Sequence, residues 1–89
     1  MSPEQLLALA DIFTAEYPAR VRSYSALVAA ASVTTARLHG VAVLTSPTHT
    51  SAALAETLRR LEPLTSSNAE FAAFCARVYE RRAAGEGDF

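Results

Sequence analysis

Glu62-Pro63-Leu64-Thr65-Ser66-Ser67-Asn68-Ala69-Glu70-Phe71 interrupts one apolar helical pattern and begins another. Pro63 cannot continue a helix, because it lacks the N–H and crowds the preceding turn. Ser67 followed three positions later by Glu70 has the form of a capping box, so Ser67 is the predicted N-cap of a helix reaching about Ala84. Beyond it Phe71, Phe74, Cys75, Val78 and Tyr79 share one side of a 3.6-residue period. A helix start carries about half a positive charge and spare N–H donors, which makes such a turn able to hold an anion. Ser66, Ser67 and Asn68 are therefore the candidate anion- or phosphate-binding residues. The same three residues also suit a plain structural cap.

Composition narrows the setting of this turn. Eighty-nine residues at 51% hydrophobic content make one small domain with a thin core, for which a small protein partner or self-association is natural. The eight basic residues are all Arg and nearly balance nine acidic ones, for a net charge of -1. That balance speaks against a nucleic-acid binder, which shows a basic surplus. Arg59-Arg60 and Arg81-Arg82 read as solvated helix faces. The single cysteine, Cys75, lies on an apolar face and reads as core filler. His39 and His49 have no carboxylates at ligand or triad spacing, so neither a metal site nor a hydrolase triad is expected. No basic start precedes an apolar run, and no apolar run reaches about eighteen residues, so no membrane segment is expected and the location is read as cytoplasmic.

Upstream of the turn the chain reads as three further helices. Ser2 and Gln5 form a capping box with Pro3 at the first helical position, opening a helix to about Glu16, since Pro18 disfavours helical geometry at Tyr17. Its face is Leu6, Leu9, Ile12 and Phe13, widened by Leu7 and Ala10. A second helix begins near Ser23 or Ser25 and ends at His39, with Gly40 as a left-handed stop. Val33, Thr34 and Thr35 weaken its second half. Val41 to Leu44 is a short extended segment or an apolar connector. A third helix starts near Pro47 or Thr48, presents Leu54, Leu58 and Leu61, and stops at Pro63. Gly85 ends the fourth helix, and the tail over 85–89 frays. The expected architecture is a single all-α domain of four helices, with residues 1–22 as N-terminal helix and connector and 23–84 as core.

Tyr24-Ser25-Ala26-Leu27 through Gly40, the Ala52-Ala53-Leu54 helix, the turn and the last helix together resemble the small bacterial Fic/Doc toxins. Those proteins carry a Tyr-led helix ending in a glycine stop, then an Ala-Ala-Leu helix. A loop of the form His-x-Phe-x-Asp-Gly-Asn-Lys/Gly-Arg then opens the core helix. With Gly40 on the family's glycine the loop arrives in register, and Asn68 falls on the family's asparagine. The resemblance implies a Fic/Doc-like arrangement with the Ser67–Ala84 helix central, and a toxin–antitoxin setting with a small antitoxin as partner.

Carried across position by position, the loop is rewritten. Glu62 stands where the family has its general-base histidine, and Leu64 replaces the aromatic anchor. Ser66 stands for the metal-holding carboxylate, Ser67 for the glycine, and Ala69 and Glu70 for the two basic positions. Phosphoryl-type transfer depends on cations around the phosphates and on a positioned metal. With carboxylates in place of cations, the chain is expected to be a non-catalytic, cofactor-free relative that binds protein, with Val41, Val43 and Leu44 as candidate partner-binding residues. Two alternatives stand beside this. One is a transferase using Glu62 as base with Ser67 and Asn68 on phosphate; the other is an unrelated helical homodimer.

Overall fold

The computed structural model describes residues 1–35, 37–38, 41–42 and 47–85. Four helices run in order: α1 (Pro3–Thr14), α2 (Tyr24–Val33), α3 (Pro47–Leu61) and α4 (Asn68–Ala83). Between α2 and α3, β1 (Arg37–Leu38) pairs antiparallel with β2 (Val41–Ala42), Arg37 facing Ala42 and Leu38 facing Val41. The all-α expectation holds for a small four-helix domain. The extended alternative for Val41 onward is realised at Val41–Ala42.

Helix starts follow the local chemistry where the backbone permits it. The Gln5 N–H donates to Ser2 Oγ at 3.1 Å while the Ser2 N–H donates to Gln5 Oε1 at 2.8 Å, a complete capping box. The Ala26 N–H donates to Ser23 Oγ at 3.2 Å, which fixes Ser23 as the N-cap of α2. That helix stops at Val33, well before the predicted His39. Its final turn is rich in hydroxyls that bond carbonyls three residues back: Ser32 Oγ donates to the Ala29 carbonyl at 2.6 Å and Thr34 Oγ1 to the Ala31 carbonyl at 2.8 Å. Such local bonds, added to β-branching, compete with helix propagation and outweigh a glycine several residues further on. His39 and Gly40, predicted as helix end and stop, lie outside the described residues. Gly85 sits at φ 80°, the left-handed stop expected after α4.

The helices form a ring, α1 against α2, α2 against α3, α3 most extensively against α4, and α4 lightly against α1. Its interior holds Leu6, Leu9 and Phe13 of α1, Leu27 of α2, Leu54 and Leu58 of α3, and Phe71 and Cys75 of α4. Alanines at 26, 30 and 31 are the rest of α2's buried side and let its backbone approach its neighbours closely. Ser51, buried on α3, donates from Oγ to Glu80 Oε2 at 2.9 Å and ties α3 to α4. Two expected core positions face outward: Ile12 is 55% exposed and Leu61 is 41% exposed. The α4 helix, predicted central, is one wall of the ring. Glu70, Ala73, Arg77 and Arg81 recur on its outer side, all exposed, and among the described residues it makes no close backbone approach to α2.

Candidate functional site

The α3–α4 turn is held by a segment that lies forty residues away in sequence. The Arg22 and Ser23 N–H groups both donate to the Pro63 carbonyl, at 2.6 and 3.0 Å, and the Thr65 N–H donates to the Arg20 carbonyl at 2.9 Å. Val21 and Leu64 form an antiparallel bridge. Thr65 Oγ1 accepts from the Arg20 N–H at 3.1 Å, and Ser66 Oγ donates to the Pro18 carbonyl at 3.4 Å. The Arg22 guanidinium donates to the Leu61 carbonyl at 3.3 Å and to the Glu62 carbonyl, which caps the C-terminus of α3. Leu64, 1% exposed, anchors the turn in the core as an apolar residue at that position should.

Asn68 closes the turn from within. Its Oδ1 accepts from the Leu64 N–H at 2.9 Å and its Nδ2 donates to the Leu64 carbonyl at 3.0 Å. Both ends of the amide are therefore engaged with the backbone of a residue four positions earlier. Ser67, between them, has φ 59° and ψ 31°. The predicted Ser67–Glu70 capping box is absent, and Ser67 makes no side-chain bond to the helix. A side-chain cap needs an extended N-cap backbone; the left-handed conformation points the hydroxyl elsewhere. Among the described residues Glu62 is the other non-glycine residue with positive φ, at 49°.

The start of α4 borders a shallow cleft lined by Glu62, Thr65, Ser66, Ser67, Asn68 and Glu70, with Arg59 contributed by α3. All four loop candidates, Glu62, Ser66, Ser67 and Asn68, are thus brought together. Arg59 is the member that local sequence does not announce, since it belongs to the preceding helix. Its signal is the spacing: three residues before Glu62, in the last turn of α3. Formal charges at the cleft are one cation against two carboxylates. The unpaired N–H groups of the first turn add a positive pole worth about 0.3–1 kcal/mol to an exposed anion.

The remaining candidates stand apart. Val41 lies in β2, while Val43 and Leu44 fall outside the described residues. Cys75 is buried, and burial pushes its thiol well above the ordinary range. Among the described residues no three His, Cys, Asp or Glu side chains converge as metal ligands, and no helix is long and apolar enough to cross a membrane. No protein-family model, curated protein or solved structure matches the chain.

Proposed function

We propose that this chain is a non-catalytic, Fic/Doc-like protein of a toxin–antitoxin system that works by binding another protein. The observation that carries the proposal is the backbone at Ser67. This residue stands at the family's glycine position and adopts φ 59°, a conformation that glycine takes without cost and serine does not. The loop keeps a glycine-like path although its sequence has no glycine. Asn68, at the family's asparagine, holds that path through its paired bonds to Leu64. Loss of chemistry follows from charge. Glu62 and Glu70 replace a base and a cation beside the helix start, and like charge at close range opposes a phosphate chain.

Co-expression with the neighbouring reading frame of the host tests the setting. Growth arrest by this chain alone, relieved by the neighbour, is the expected result; indifferent growth in both conditions contradicts it.

Arg59 favours a second reading. A guanidinium beside the helix start could take one phosphate, leaving Glu62 as base in a transferase with altered residues. Transfer of a labelled nucleotide moiety to a co-purified protein, abolished in Glu62→Gln and Arg59→Ala, would establish that reading and remove the non-catalytic one.

A further inference from the structure

The thin α1–α4 contact leaves an apolar cleft on the outside of the ring. Ile12, Phe13 and Tyr17 line one side of it, and Ala73 and Phe74 the other. Phe13 stacks on Tyr17 with ring centroids 4.1 Å apart and an interplanar angle of 5°, and lies tilted against Phe74 at 6.0 Å. The floor is packed; the lips are bare, with Ile12 55% and Tyr17 41% exposed.

Charge around the cleft is laid out with a direction. Glu16 and Glu70 stand at the end where α1 finishes and α4 begins, and Arg77 stands further along α4. Seven residues of helix separate Glu70 from Arg77, about 10 Å. None of the three makes an ion pair among the described residues.

We propose that a second copy of this chain covers the cleft, in a two-fold dimer with the α1–α4 faces packed on each other. A two-fold axis in the interface and perpendicular to the cleft reverses the cleft's direction, so the acidic end of one protomer meets Arg77 of its partner, and the same pairing repeats on the other side. The charge layout is its own complement in that orientation. Parallel stacking would oppose carboxylates to carboxylates. Ile12 and Tyr17 of each protomer enter the other's cleft, giving the interface a desolvated aromatic centre inside a charged rim. This inference stands on the cleft alone and is independent of the Fic/Doc reading.

Sedimentation of the full chain from about 1 to 300 µM reads the assembly directly. A concentration-dependent dimer is expected. Arg77→Glu alone, and Glu16→Arg with Glu70→Arg, should each weaken it by about tenfold or more. Mixing these two variants should restore dimerisation between unlike chains, because every rim pair is again of opposite sign. Ile12→Ser, at an exposed site that leaves the core intact, should weaken it by a similar factor, with helical circular dichroism unchanged. A wild-type chain that stays monomeric across the range overturns the proposal. So does a dimer indifferent to Arg77→Glu and Ile12→Ser, or a pair of charge variants that remain apart when mixed.

Discussion

At Ser67 the side chain and the backbone make opposite demands. Serine favours an extended N-cap with its hydroxyl on the third helical N–H, yet here the backbone is left-handed and the hydroxyl leaves the helix uncapped. Ser67→Gly should therefore raise stability by about 0.5–1 kcal/mol, read from urea midpoints, because glycine removes the left-handed strain. Ser67→Ala should change little, whereas a true cap would lose about 1 kcal/mol. Asn68→Ala should cost about 1–3 kcal/mol, since it orphans the N–H and carbonyl of Leu64 beside the core. Cys75 offers a test in pH. Its folded thiol is held above the ordinary value of 9.0 by burial, so above that pH the unfolded chain sheds a proton that the folded chain keeps. Stability is then fully present below about pH 9 and falls above it, by at most about 1.4 kcal/mol per pH unit. Denaturation midpoints at pH 8 and about pH 10, with Cys75→Ala as control, check the sign.

Element ends are legible where one residue type settles them. Ser2, Pro3 and Gln5 open α1, Pro63 closes α3, and Gly85 closes α4, each through local geometry that no distant contact overrides. The end of α2 is different, because two local signals disagree. The β-branched run at 33–35 competes with the glycine at 40, and the hydroxyl bonds to the 29, 31 and 32 carbonyls resolve the matter in favour of an early stop. The strap over 18–23 is not legible at all. It pairs with 63–65 through a single bridge, and so short a pairing leaves no alternating pattern in the sequence. The candidate loop is accordingly half readable: its residues are, its hydrogen-bond partners Arg20 and Arg22 are not. Arg22→Ala should cost about 1 kcal/mol, measured by thermal or urea unfolding, because two carbonyls at the end of α3 lose their donor. Arg22→Lys should recover only part of this, lacking the planar fork.

For the whole molecule, the ring of helices explains which apolar residues are spent and which are left over. Leu6, Leu27, Leu54, Leu58 and Phe71 are fully buried inside it, and Leu58→Ala should cost about 2–5 kcal/mol, enough to threaten a domain this small. Ile12 satisfies the helical period and is still exposed, since α4 meets α1 only lightly at that edge. Periodicity reports the apolar side of a helix, and packing decides how much of that side is covered. The same edge leaves α4 uncovered on its outer side, so the Fic/Doc-like reading draws its support from the loop and not from the place of the helix.

Whether the loop retains a path for phosphate without the charge to hold one is measured most directly by titrating ATP with magnesium into the folded chain and recording heat. No saturable binding is expected up to about millimolar nucleotide, in wild type and in Arg59→Ala alike. Saturable binding at micromolar nucleotide that disappears in Arg59→Ala would contradict the account, and would place an occupied phosphate site at the start of α4.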